Sequence, residues 1–269
     1  GQLGDGTTGG FQNTPTKIGV ATDWSAIAAG SSHPVALKTA GTLWAWGRNS
    51  EGQLGDGTND DKNIPTQEST GATNWSAISA GVYHTVALKS DGTLWAWGRN
   101  GEGQRGDASQ KLATQPTRIG KGTRWTRILS GSMHSLGFQD DGSLWAWGAN
   151  DSGQLGDGTA NKLIQPARIG RYQWQAIAAG LHHSTAIKKD RSLWAWGRNE
   201  YGQLGLGNLT NKNTPRTIPN PTNTDMDLTG VKQIAAGGNH TVLLMEDGTV
   251  KSFGWNFNGQ LGHGNYTQE

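Results

Sequence analysis

The sequence contains no cysteine, which excludes disulfides, thiolate metal sites and cysteine nucleophiles together and leaves packing to supply the stability. An excess of charge of one sign is missing too: 23 Lys and Arg stand against 21 Asp and Glu, a net of +2. A protein that grips a phosphate backbone concentrates positive charge on its surface, so direct nucleic-acid binding is not expected. No apolar run approaches the roughly 18 residues of a membrane span, and no membrane partner is expected. The amino end, Gly1-Gln2-Leu3-Gly4, has neither an initiator Met nor a charged-then-apolar leader, and reads as a chain trimmed or excised from a longer one. The balanced charge, the Asn and Thr richness and the lack of Cys lean towards a bacterial, extracytoplasmic location.

What is present in excess is glycine, 42 residues, together with 13 tryptophans. The pairing suggests many tight turns between short strands that pack through large flat rings. Self-comparison organises both. Gly-Gln-Leu-Gly begins at 1, 52, 153, 202 and 259, with Gly-Gln-Arg-Gly at 103, and Trp-Ala-Trp-Gly returns at 44, 95, 145 and 194. Residues Lys251-Ser252-Phe253-Gly254 fill the same slot in a fifth unit. The units are 1–51, 52–102, 103–152, 153–201 and 202–258, and 259–269 starts a further unit or overlaps the first. A period of this kind marks a repeat architecture, read here as one domain over 1–269.

One unit suffices to read the local structure. Trp75–Gly81 is a small-residue inner strand, His84–Lys89 a second strand, and Ser90-Asp91-Gly92 a hairpin turn. The third strand, Thr93–Gly98, places Trp95 and Trp97 on one face and Leu94 and Ala96 on the other, because side chains alternate along a strand. Pro116, in the segment Gln115–Gly120, fits an edge or irregular fourth strand. Four strands per unit, apolar on both faces, predict an all-β propeller whose blades, of about 50 residues, bury their faces against one another. Five repeats are visible, and two readings follow: a five-bladed ring whose last blade is completed by the amino-terminal strand, or five blades of a larger ring.

The run His84-Thr85-Val86-Ala87-Leu88, the run Asp91–Asn100 and the run Gly153–Gly158 resemble the regulator-of-chromosome-condensation repeat, and the resemblance covers essentially the whole chain. It implies a β-propeller, usually of seven blades, that acts through a surface on another macromolecule. Propellers similar to this one include an exchange factor for a small GTPase and a secreted inhibitor of β-lactamases. The family's plant ultraviolet-B photoreceptor absorbs through Trp just before the repeat His. Here those slots hold Ser31-Ser32, Val82-Tyr83, Ser132-Met133, Leu181-His182 and Gly238-Asn239, so no photoreceptor role is expected.

The candidate chemistry lies in repeated residues. His33, His84, His134, His183 and His240 share one slot; converging on an axis they would form a metal site, but a residue needed identically in every unit more simply satisfies a hydrogen bond of the scaffold. Trp46, Trp97, Trp147 and Trp196 are read as packing residues. Asp56, Asp107 and Asp157 are read as turn caps, with calcium between Asp56 and Asp61 as the alternative. No nucleophile elbow, zinc-protease pair or phosphate loop stands out from the repeat background. No catalytic residue, metal or cofactor is therefore assigned.

Function is sought where the units disagree. The residues before each His supply the candidate partner-binding set Val82, Tyr83, Met133, Leu181, His182 and Asn239, expected to ring one mouth of the channel; their alternative role is packing between blades. The loops 56–64, 107–115, 159–165 and 207–230 also differ in length and charge. The expectation is a non-enzymatic scaffold that binds a protein through one face. The alternatives are a carbohydrate-binding lectin, for which Trp would have to face solvent, and an exchange-factor-like regulator of a GTPase, for which only Asp225 and Asp227 offer an acidic loop. A glycan or other small molecule is a lesser expectation than a protein.

Overall fold

The computed structural model describes residues 1–122, 124–219, 228 and 230–266. The first blade is β1 (Trp24–Ala29), β2 (Pro34–Lys38), β3 (Leu43–Gly47) and β4 (Lys62–Gln67). The second is β5 (Trp75–Ala80), β6 (His84–Lys89), β7 (Leu94–Gly98) and β8 (Ala113–Ile119). The third is β9 (Trp125–Ser130), β10 (His134–Gln139), β11 (Leu144–Gly148) and β12 (Leu163–Arg168). The fourth is β13 (Trp174–Ala179), β14 (His183–Lys188), β15 (Leu193–Gly197) and β16 (Lys212–Thr217). The fifth shows three strands among the described residues, β17 (Val231–Ala236), β18 (His240–Met245) and β19 (Val250–Gly254). Each sheet is an antiparallel meander in chain order. The all-β propeller fold expected from the repeat is what the chain adopts.

Local chemistry explains the meander. At the β6–β7 turn Asp91 Oδ1 accepts from the Thr93 N–H at 2.9 Å and the Thr93 hydroxyl at 2.7 Å, an Asx-type turn that fixes the hairpin register. At the end of β7 the chain turns through Gly98 with φ of 95°; a Cβ there would lie 2.5 Å from the Tyr83 carbonyl oxygen, so only glycine closes the strand. The following loop is clipped by Asn49, which accepts from Leu54 N–H at 3.0 Å while its amide donates to Asp56 and the Thr58 carbonyl. Asn100, Asn150, Asn199 and Asn256 repeat the clip. Asp56 caps Thr58 N–H at 2.9 Å and meets Lys62 Nζ at 3.3 Å, the geometry of a turn cap.

The core lies between blades. Val86, Leu88, Leu94 and Ala96 of the second blade pack on Trp125, Ile128 and Trp147 of the third, and the same scheme joins the first to the second, the third to the fourth and the fourth to the fifth. Trp97, Trp147 and Trp196 are fully buried. Each meets the Trp that opens its blade's inner strand at a tilted or edge-on angle of 43–66°, with centroids 5.6–5.9 Å apart. Their indole N–H groups donate to the carbonyls of Gln53, Gln104 and Gln154 at 2.9 Å, so the Gly-Gln-Leu-Gly turn of one blade seats the tryptophan of the next.

Among the described residues the two ends do not join into one blade. Trp46 Nε1 donates to the Gln2 carbonyl at 3.1 Å, so the amino-terminal turn sits on the first blade as Gln53 sits on the second, and it adds no strand to the fifth. Among the described residues no backbone hydrogen bond joins the fifth blade to the first. Ile27 on the front of the first blade is 82% exposed and Val250 on the back of the fifth is 65% exposed, where their counterparts in interior blades are covered.

Candidate interaction face

Three of the repeat histidines bridge neighbouring blades, and His134 is buried without such a bond. His33 Nε2 lies 3.0 Å from Thr85 Oγ1, His84 Nε2 2.9 Å from Ser135 Oγ, and His183 Nε2 3.1 Å from Thr241 Oγ1. Each of these hydroxyls donates its own hydrogen to a carbonyl, of Gln53, Gln104 or Gln203, at 2.7–2.9 Å. The hydroxyl therefore accepts from histidine, which places the ring proton on Nε2. Burial penalises the charged imidazole and lowers the pKa of His33 to about 4 and those of His84, His134 and His183 to about 3, so these rings stay neutral. The rings of His33, His84 and His183 point along the blade-to-blade relay, and among the described residues no group of three His, Cys, Asp or Glu is arranged for a metal. The glycine before each histidine belongs to the same device: a Cβ on Gly81 would fall 2.3 Å from the His84 ring.

The residues before each histidine divide into two sets. Val82 and Leu181, first of their pairs, border a cavity of about 140 Å³ with Gly30, Gly81, Gly131, Gly180 and Gly237, where the inner strands converge. Backbone bonds link them around it, Val82 N–H to the Ser132 carbonyl at 3.0 Å and Leu181 N–H to that of Gly238 at 3.1 Å. Tyr83, Met133, His182 and Asn239, second of their pairs, are half-buried and meet a different part of the chain. Their carbonyls accept from the N–H groups of Arg99, Ala149, Arg198 and Trp255 at 2.8–2.9 Å, as Ser32 does from Arg48.

Those partners, each the residue after a blade's third strand, are functional candidates that sequence reasoning overlooked. Arg48 and Arg99 lie over the Tyr83 ring, their guanidinium carbons 5.2 and 5.5 Å from its centroid. Arg198 lies over Tyr201 at 5.7 Å, and Tyr201 stacks on Trp255, also at 5.7 Å, beside the exposed Phe257. Burial, then the Arg198 charge, lowers the His182 pKa. The signal available in the sequence was the same as for the pre-histidine pairs: the slot reads Arg48, Arg99, Ala149, Arg198 and Trp255, different where the flanking Gly and Asn are constant. The long loop 207–230, with Asp225 and Asp227, lies in part outside the described residues.

A family model described as "RCC1-like domain" matches residues 1–269. Among curated proteins the chain is 39% identical over 87 residues to the X-linked retinitis pigmentosa GTPase regulator homolog of Caenorhabditis elegans, across 32% of this chain and 6% of that protein. It is 35% identical over 123 residues to the ultraviolet-B receptor UVR8 of Arabidopsis thaliana, across 44% and 28%. Among solved structures, human WBSCR16 superposes with a TM-score of 0.83 at 23% identity, over 96% of this chain and 68% of that one. Yeast RCC1 (Prp20), crystallised bound to Kap60, superposes with a TM-score of 0.73 at 26% identity, over 86% and 56%. The matches span less than a third of the curated relatives' length.

Proposed function

This chain belongs to the RCC1-like domain family, and from that premise we propose that it is a non-enzymatic scaffold that binds a partner protein through one propeller face. One observation carries the reading. The His, Trp, Asn and Gln of the blades are spent alike on the scaffold, whereas the positions that differ from blade to blade are gathered on one face by the bonds between pre-histidine and post-strand residues. A surface held by backbone bonds needs little ordering on binding, so its contacts go to affinity. Tyr83, Met133, His182 and Asn239 are the residues of the expected set best placed for contact, and Val82 and Leu181 act at the axial cavity. The relatives support the class: one is named a GTPase regulator homolog, and yeast RCC1 was crystallised with a protein bound.

The test is capture by immobilised protein from the source organism's extract and secretions, with cross-linking to locate the contact. Tyr83→Ala/Met133→Ala is expected to reduce capture at least tenfold with little change in thermal midpoint, and the cross-links to fall on this face. Equal retention by the variant would place the site elsewhere. Binding of a glycan array in place of protein would favour the lectin, and faster nucleotide release from a small GTPase would favour the exchange factor.

A further inference from the structure

The fourth blade shows how the post-strand arginine is used. Arg198 stacks on Tyr201 and its guanidinium is paired with Glu200, the third residue after Gly197. The first and second blades keep the arginine, as Arg48 and Arg99, but put Ser50 and Gly101 where Glu200 stands. Among the described residues neither arginine forms an ion pair. Of the acids one position further on, Glu102 meets Lys162 at 3.5 Å and, among the described residues, Glu51 makes no ion pair.

The two unpaired guanidiniums are nevertheless held in place. Both lie against one ring, Tyr83, within 5.5 Å of its centroid. Arg48 Nε donates to Ser50 Oγ at 2.9 Å, and the Arg99 guanidinium lies beside Gly101, its Nε 3.6 Å from where a Cβ would stand. Stacking occupies the face of a guanidinium and leaves its in-plane N–H donors available for two-pronged binding of a carboxylate. Two cations sharing one ring also repel each other, which an anion between or beside them relieves.

We propose that Arg48 and Arg99, stacked on Tyr83, bind the carboxylates of an acidic segment of the partner protein, which do there what Glu200 does for Arg198. The inference rests on the scaffold reading and names the partner's chemistry. The internal precedent is a carboxylate, that of Glu200 on Arg198, and not a phosphate, which favours an acidic segment over a polyphosphate. A short acidic peptide engages two arginines without meeting the whole face.

A fluorescein-labelled decapeptide of alternating Glu and Gly, titrated by anisotropy at low salt, tests this directly. A Lys–Gly peptide and a single-stranded DNA of equal charge serve as controls. The protein is expected to bind the glutamate peptide, with affinity that falls as salt rises and at least tenfold in Arg48→Glu/Arg99→Glu. Ser50→Glu/Gly101→Glu is the second variant. It leaves both arginines in place and supplies the internal acids of the fourth blade, at positions where Gly101 has ordinary φ and no backbone within 4 Å of its Cβ. It is expected to lose the peptide to the same degree. Absence of preference for glutamate, unchanged binding by both variants, or tighter binding of the DNA overturns the proposal. A partner captured in a Tyr83- and Met133-dependent way but indifferent to Arg48→Glu/Arg99→Glu overturns it while leaving the scaffold reading standing.

Discussion

The front of the third blade and the front of the first carry the same side chains in opposite surroundings. Trp125, Ile128 and Trp147 meet the second blade and Ile128 is 8% exposed; among the described residues no blade packs on the front formed by Trp24, Ile27 and Trp46, where Trp46 is buried within its own blade and Ile27 is 82% exposed. The first front still keeps its internal geometry, with Trp24 and Trp46 centroids 6.3 Å apart and Gln2 seated on Trp46. A blade therefore builds its own Trp-lined front from local sequence, and the stabilisation of that front is supplied by the back of the preceding blade. Stability in such an array resides largely in nearest-neighbour terms.

Acid sharpens the comparison most. The histidines at interior boundaries have folded pKa values of about 4 for His33 and about 3 for His84, His134 and His183, against about 6.5 in an unfolded chain. The unfolded state binds more protons between these limits. Their contribution is full above pH 6.5 and is lost as pH falls towards 3–4, by about 1.4 kcal/mol per pH unit for each histidine. Urea midpoints measured at pH 7, 6 and 5 are expected to fall steeply, and His84→Gln to reduce the slope by one proton's share. A flat profile would contradict the burial of these rings as neutral imidazoles.

Substitution inside the boundary comes next. Trp97→Ala removes a fully buried ring and its bond to the Gln53 carbonyl and is expected to cost about 3–5 kcal/mol. Ile128→Ala is expected to cost roughly 2–5 kcal/mol, and the matched Ile27→Ala less than about 0.5 kcal/mol. Denaturant titration of the three variants reads the difference. Similar losses at Ile27 and Ile128 would mean that the first front is covered in solution.

The strands of this comparison were legible in the sequence, and its partners were not. Period-two alternation placed Trp95 and Trp97 on one face, and the constant histidine announced a scaffold bond. Which atom receives that bond required geometry, because Thr85 is 52 residues from His33 and belongs to the next repeat. The pairing of Arg48 with Tyr83 escaped for the same reason: repeat alignment compares equivalent slots, whereas the contact joins different slots in adjacent blades. The amino-terminal turn could be read as the end of the fifth blade because a Gly-Gln-x-Gly turn begins every unit. The seat under Trp46 decides its place, since Gln2 does for that ring what Gln53 does for Trp97.

The smallest effect tests the relay itself. Thr85 Oγ1 serves both the His33 ring and the Gln53 carbonyl, and the same slot is Ser135, Ser184 and Thr241 in the third to fifth blades but Pro34 in the first. Thr85→Val keeps the shape and deletes the hydroxyl, leaving the buried His33 N–H unpaired at an expected cost of about 1–3 kcal/mol. Gln53 retains the Trp97 donor, so the loss is mostly that of one orphaned group. Pro34→Thr offers a hydroxyl on the uncovered front, where no preceding histidine stands among the described residues, and is expected to change stability by less than about 0.5 kcal/mol. Equal effects at the two positions would detach the hydroxyl from the blade boundary; a loss confined to Thr85 makes the histidine bond a property of two blades in contact, which neither carries alone.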